Sequence, residues 1–320
     1  MSTEESAPPA AKSNDENRDD APPQGGLSRR GWLGAAGGIA AAAVAIPALE
    51  RIATAAEDPN WKIMNGRIQQ SVCHWCFEPM PLEELARAAA AMGIKSVEIV
   101  PPETWPTLKK HGLICAMTPS HGFVRGLNNK IYHAECIEKL TAAIEATSAA
   151  GFPNVITFSG MREGLSDEVG IQNTIDALKQ VLPLAEKKKV NLCLEPLNTR
   201  VDVEMKGHPG YQCDKVEWAV EVCEKLGSPR MKILFDIYHT QVMQGDVIVR
   251  INKYKDLIGH YHTAGVPGRN DIGEMQEINY PPIMRAIVAT GYKGYVGQEY
   301  IPSGADKLAA LRHGVQLCDV

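Results

Sequence analysis

The chain is predicted to be an α/β protein, a single (β/α)8 TIM barrel behind an N-terminal leader. Three observations carry that expectation. Eight short apolar runs recur beyond residue 56, each followed by a loop and a helix-like segment. No composition break divides residues 56–320. Their length, about 265 residues, is that of one such barrel.

The predicted strands are Ile68–Cys73, Ser96–Val100, Leu113–Met117, Asn154–Ser159, Asn191–Glu195, Lys232–Asp236, Ile258–Thr263 and Gly294–Glu299. Apolar spacings of three and four predict helices over Leu82–Met92, Ala134–Ala149, Ile171–Lys188, Val216–Leu226, Ile248–Tyr254 and Ile283–Thr290. Asp306–Cys318 closes the chain, and Glu103–Lys110 is the shortest connection. Gly93, Gly112, Gly151, Gly227 and Gly291 stand where helices need left-handed caps. An open doubly wound sheet is the alternative, but it would show a glycine-rich phosphate loop after its first strand, and the sequence has none.

Residues 1–27 are polar and Pro/Ala-rich, with little to bury, and are expected to be disordered. Ser28-Arg29-Arg30-Gly31-Trp32-Leu33 and the Ala/Gly-rich run to Leu49 then resemble a twin-arginine export signal. Ala53-Thr54-Ala55 offers a cleavage site, so residues 1–55 form the leader and 56–320 the barrel. The expected location is the bacterial periplasm or another extracytoplasmic space. The run is too short and too weakly apolar for a stable span, although an uncleaved signal would tether the protein.

Charge excludes one class of partner. The net charge is −5, and Lys and Arg are scattered, so nucleic acid is not an expected partner. The eight Cys all lie beyond residue 72, in a domain too large to need disulfides. Cys73-His74-Trp75-Cys76 has CxxC spacing, but it ends a strand and has no second CxxC, so a core or cavity-wall role is expected.

Four polar residues end apolar runs in the second half: Glu195, Asp236, His262 and Glu299. In a barrel, the C-terminal strand ends converge on one mouth. Three carboxylates and one imidazole there make an oxygen/nitrogen ligand set for one divalent ion, Mn2+ or Mg2+ first and Zn2+ as the alternative. A carboxylate after a strand also serves as a helix cap or loop ion pair. Pro196 and Tyr300-Ile301-Pro302, however, extend the chain after the two glutamates instead of starting helices.

Leu194-Glu195-Pro196-Leu197-Asn198, Phe235-Asp236-Ile237-Tyr238-His239, and the run from His260 to Arg269 with Glu277-Ile278-Asn279-Tyr280 form a recognisable set, completed by Gly297-Gln298-Glu299-Tyr300. Together they resemble the xylose-isomerase-like TIM barrels, and within them the hydroxypyruvate isomerase group. The resemblance runs from Ile68 to the C-terminus, in outline only over the first half. It implies that Glu195, Asp236, His262 and Glu299 are metal ligands, that Glu195 and Glu299 are the proton-transfer pair, and that His239 and Arg269 contact substrate oxygens. Many members of that group carry Gln at the position of His262, and ketose 3-epimerase relatives carry His. Gly265 stands where the group often has an acidic residue.

Residue chemistry agrees with that implication. Moving a carbonyl along a sugar, or inverting the carbon beside it, starts by removing a proton next to C=O, and a carboxylate base with a divalent cation eases that step. His74 and His121 follow early strands and are further candidates to line the cavity, while Glu204, Lys206 and His208 lie on a long loop suited to a lid. The expected ligand is a small sugar or keto acid. Isomerase and epimerase outcomes stay open, as do a metal-dependent dehydratase or lyase and a non-catalytic exported carbohydrate-binding barrel. The oligomeric state is open too, a homo-oligomer included.

Overall fold

The computed structural model describes Asp58 and residues 60–320. The expected export signal and leader, residues 1–55, lie outside the described residues. Eight parallel strands follow one another: β1 (Gln69–Cys73), β2 (Ser96–Glu98), β3 (Met117–Thr118), β4 (Asn154–Thr157), β5 (Asn191–Leu194), β6 (Met231–Asp236), β7 (Ile258–Thr263) and β8 (Tyr295–Gln298). Sequence neighbours pair except β2 with β3, the two ends of the sheet, and β1 pairs with β8. Val97 N–H to Ile114 O (3.1 Å) and Ile99 N–H to Met117 O (2.9 Å) close the ring between β2 and β3.

Helices return the chain between strands: α1 (Leu82–Met92), α2 (Trp105–Lys110), α3 (His133–Ala150), α4 (Asp167–Lys188), α5 (Val216–Leu226), α6 (Ile237–Met243), α7 (Val247–Tyr254), α8 (Tyr280–Ala289) and α9 (Lys307–Cys318). The five cap glycines all have left-handed φ, from +62° to +88°. Several boundaries differ from the sequence reading for local reasons. Helix α4 starts at Asp167 because the Ser166 side chain caps Val169 N–H. Strand β3 is shorter than the Leu113–Met117 run, since Ala116 N–H donates to Ser96 Oγ (2.8 Å) instead of joining a ladder. Helix α6 was not foreseen; Asp236 caps it by accepting from Tyr238 N–H (2.7 Å) and His239 N–H (3.2 Å).

The main core lies between barrel and helices. A smaller apolar cluster, Met117, Ile156, Cys193 and Leu234, fills one side of the lumen from β3 to β6. The opposite side is polar: Glu98 on β2 and His260 and His262 on β7 are fully buried. All eight Cys are buried and free, Cys73 and Cys76 included. At the closed end, the Asp319 carboxylate accepts from Met64 N–H (2.7 Å) and Gly66 N–H (2.9 Å), tying the last helix to the start of the barrel. Among the described residues, no helix is long and apolar enough to cross a membrane.

Candidate metal centre and active site

Strands β5 to β8 are adjacent, and each delivers one of the four expected ligands at its C-terminal end. Glu195 follows β5, Asp236 closes β6, His262 is next to last in β7, and Glu299 follows β8. Asp236 stands in register with His262, and His262 with Gly297. One donor atom from each of the four lies within 4.8 Å of those of the other three, and all four residues are buried. His262 Nδ1 is 3.0 Å from Glu299 Oε2 and 3.8 Å from Glu195 Oε1. Asp236 has both roles that a carboxylate after a strand can have. Its Oδ1 caps α6, and its Oδ2 faces the cluster.

These residues fit a divalent cation. Three carboxylates are held out of water, where uncompensated charge is costly, and among the described residues Arg269 is the one buried Lys or Arg side chain beside them. Glu195 Oε1 and His262 Nδ1 are buried with no hydrogen-bond partner among the described residues. A hard oxygen set with one imidazole suits Mg2+, Mn2+ or Zn2+.

The two glutamates sit in unlike fields. Burial pushes Glu195 up to about 7, the Glu299 charge adding to the rise against the opposing pull of His262. Burial likewise lifts Asp236 to about 6, against the pull of Arg269. Burial would raise Glu299 as well, but Arg269 and then His262 hold it well below the usual carboxylate range. Carboxyl groups driven apart in this way are suited to opposite proton-transfer roles.

Arg269 is the hub of the mouth. Its Nη2 donates to Glu299 Oε2 (2.5 Å) and Asp236 Oδ2 (3.3 Å), and its Nη1 to the Met205 carbonyl (2.7 Å). The guanidinium lies over the rings of Trp75 (5.1 Å) and Tyr238 (5.7 Å). Arg269 holds a left-handed φ of +56° without being glycine, a cost of about 1 kcal/mol or more that clusters at functional sites. Trp75 Nε1–H also reaches Glu299 Oε1 (3.2 Å).

His239 is fully set by its neighbours. Its Nδ1 accepts from the Asn198 N–H (3.0 Å) and lies 2.7 Å from Asn198 Nδ2, so its proton is on Nε2. That Nε2–H is buried, stands 3.6 Å from Asp236 Oδ2, and has no acceptor among the described residues. It is a donor aimed at the place where a substrate oxygen would lie. Burial and then Arg269 hold the imidazole well below its usual pKa, hence neutral.

Glu195, Glu299 and Arg269 open into a cavity of about 320 Å³, walled by Trp75, Phe123, Phe158, His121 and His208 among others. A larger surface groove, about 550 Å³ beside His313, contains none of the four clustered residues and lies apart from this chemistry. Of the residues on the long loop, His208 lines the cavity and Lys206 helps to pin the loop. Its carbonyl accepts from Tyr238 Oη–H (2.7 Å) and Asn198 Nδ2–H (2.9 Å). Glu204 does not line the cavity.

The other two histidines divide. His121 lines the cavity as expected, but both ring nitrogens are engaged, Nε2 with Thr157 Oγ1 (2.8 Å) and Nδ1 with the Gly122 carbonyl (3.0 Å). His74 does not line it. Its Nε2 bonds the Met80 carbonyl (2.9 Å) because Cys73 ends β1 and the next four residues turn into a 3-10 helix. Sequence reasoning missed Trp75, Asn198 and Glu98. Trp75 and Asn198 stood within quoted motifs, whereas Glu98 carried no signal beyond being a carboxylate inside an apolar strand.

The model of the xylose isomerase-like TIM barrel matches residues 86–318. The chain belongs to that family. A putative hydroxypyruvate isomerase of Homo sapiens is 29% identical over 236 residues, 72% of this chain and 78% of that protein. A 2-oxo-tetronate isomerase of Pectobacterium atrosepticum is 28% identical over 243 residues, 71% of this chain and 89% of that protein. Among solved structures, an AP endonuclease, family 2, from Brucella melitensis superposes with a TM-score of 0.67 at 26% identity, over 74% of this chain and 95% of that one. The protein is an enzyme of the isomerase type.

Proposed function

We propose that the protein is a metal-dependent sugar or keto-acid isomerase or epimerase that removes a proton from carbon next to a carbonyl. The observation that carries this reading is the pair Glu195 and Glu299. They belong to one buried cluster with Asp236 and His262, yet they leave strands at opposite ends of the β5–β8 arc. Glu195, Asp236, His262 and Glu299 would hold one divalent cation, Mn2+ or Mg2+ by preference. When bound, it would supply electrostatic stabilisation to the enediolate charge.

The rest is the work of the chain's own groups. One glutamate takes the proton and the other returns it, or one base carries it between neighbouring carbons, and the lie of the substrate decides between epimerisation and isomerisation. The His239 Nε2–H and the Arg269 guanidinium orient substrate oxygens. Trp75, Phe123 and Phe158 exclude water from the cavity and offer faces to the substrate's C–H bonds. The names of the curated relatives support a keto acid or keto sugar as substrate.

The test is a panel of ketoses, aldoses, hydroxypyruvate and keto-glycosides incubated in D2O with the Mn2+-loaded enzyme. Deuterium incorporation into at least one substrate, abolished by chelator and restored by Mn2+, is expected. An unsaturated product in its place would assign the lyase reading, and exchange that ignores the chelator would refute metal dependence.

A further inference from the structure

The polar side of the barrel lumen holds a carboxylate that the proposed reaction does not use. Glu98, on β2, is fully buried. Its Oε2 accepts from His260 Nε2 at 2.8 Å and from His262 Nε2 at 3.0 Å, the latter 164 residues away in sequence. The two imidazoles stand at 89° with centroids 5.0 Å apart, so one oxygen receives both. An ionised carboxylate only accepts, which places a proton on Nε2 of each ring. His262 therefore keeps its other nitrogen, Nδ1, for Glu195 and Glu299, the side where the ligand atoms gather. The packing leaves no slack. A Cβ at Gly297 would come within 2.8 Å of His262 Cδ2 and 3.1 Å of Glu98 Oε1.

We propose that Glu98 is a positioning residue. By holding the Nε2–H of His262 it fixes the tautomer and ring orientation that present Nδ1 as a donor to a divalent cation shared with Glu195, Asp236 and Glu299. This inference rests on the metal-site reading given under the proposed function. A buried carboxylate behind a ligating histidine raises the basicity of that ligand and stops the ring from turning away. The second donor, His260, gives a further hydrogen bond to the charge that Glu98 carries into the dry lumen and so helps to keep the carboxylate ionised where it is needed.

A different use of the same atoms has to be separated from this one. Cys73, Glu98 and His262 also gather within 4.8 Å, and Cys73 Sγ is 3.7 Å from His262 Nε2. Were that trio a cation site of its own, Glu98 would be a ligand and His262 Nε2 would carry no proton.

The experiment titrates the full chain with Mn2+ and Zn2+ and reads the dissociation constant and stoichiometry. Nitrogen-15 spectra of the Zn2+-loaded protein read the tautomer of His262. The expected results are one ion per chain, a proton on His262 Nε2, and about 10–100-fold weaker binding in Glu98→Gln. Cys73→Ser should bind as the wild type does. Folding of each variant is checked by circular dichroism. If Glu98→Gln does not fold, Glu98→Asp, which keeps the charge but withdraws it by one methylene, takes its place with the same expectation. Wild-type affinity in a folded Glu98 variant, a proton on Nδ1, or a second ion lost in Cys73→Ser would each overturn the proposal. A wild-type chain that binds no ion would instead overturn the metal-site reading itself.

Discussion

Arg269 Nη2 lies 2.5 Å from Glu299 Oε2 and 3.3 Å from Asp236 Oδ2, so one guanidinium holds two of the three clustered carboxylates. The same side chain reaches the Met205 carbonyl on the loop after β5. Arg269 thus joins the loop after β5, the carboxylates and the aromatic wall in one contact set, a larger part than holding a substrate oxygen.

Replacing Arg269 with Ala is therefore expected to act on more than substrate binding. Charge-assisted hydrogen bonds contribute about 1.5–3 kcal/mol, so KM should rise about 10–100-fold, and Mn2+ affinity should change in the same variant. Arg269→Lys should recover little, because an ammonium cannot reproduce the fork or lie flat against Trp75. Steady-state kinetics with measured metal content check this. An unchanged KM would show that the guanidinium serves only the fold.

The packing around His262 gives a second expectation. Gly297→Ala puts a methyl 2.8 Å from His262 Cδ2, against buried groups that have nowhere to move. Overpacking of this kind costs about 1–3 kcal/mol, seen as a lower Tm, and Mn2+ binding should weaken with it. A variant with wild-type Tm and metal affinity would mean that the β7–β8 pair yields more easily than its geometry implies.

The barrel and its four clustered residues were legible because each rests on a local pattern. Apolar runs ending in Glu195, Asp236, His262 and Glu299 need only the rule that strand ends converge. What the sequence hid is contact across the ring. Glu98 meets His262 only because β2 and β7 face one lumen, and nothing near Glu98 in the chain announces it. His74 was misjudged for the opposite reason. It is near the mouth in sequence, but the turn after Cys73 directs its ring onto Met80 O. Helix α6 is hidden because the cap and ligand roles of a carboxylate after a strand look like alternatives in the sequence, whereas Asp236 fills both and one of its oxygens caps the helix that carries His239.

Acidity should weaken metal binding, and the sign follows from the raised carboxylates. Glu195, pushed up to about 7, and Asp236, up to about 6, take up protons as pH falls through those values, and a cation must then displace them. Affinity for Mn2+ should fall about tenfold per pH unit between about 7 and 6, and more steeply below about 6. It should go on rising above about 8. Burial would lower His262, but the Glu299 charge holds it well above its usual pKa, and that proton too must leave before its nitrogen can bind. Calorimetric titration across that range measures it; an affinity independent of pH would contradict the buried, proton-binding character of the pair.

Export is proposed from Arg29-Arg30 and the Ala/Gly-rich run that follows, a route that carries folded proteins and so suits an enzyme loaded with metal before crossing. Changing Arg29 and Arg30 to Lys should leave the full-length precursor in the cytoplasm, as fractionation would show. Normal export of that variant would remove the proposal.

The most direct measurement of the central claim is exchange of substrate hydrogen for solvent deuterium by Glu195→Gln and Glu299→Gln, each verified to hold its cation. Glutamine keeps the shape and a coordinating oxygen but removes the base. A positioned general base contributes about 10²–10⁴-fold, so each metal-replete variant should lose exchange by that order while keeping substrate affinity within a few-fold. Near-normal exchange in a metal-replete Glu299→Gln enzyme would contradict the account. It would leave Glu299 as a ligand alone and move the second proton-transfer role to another group, His239 first.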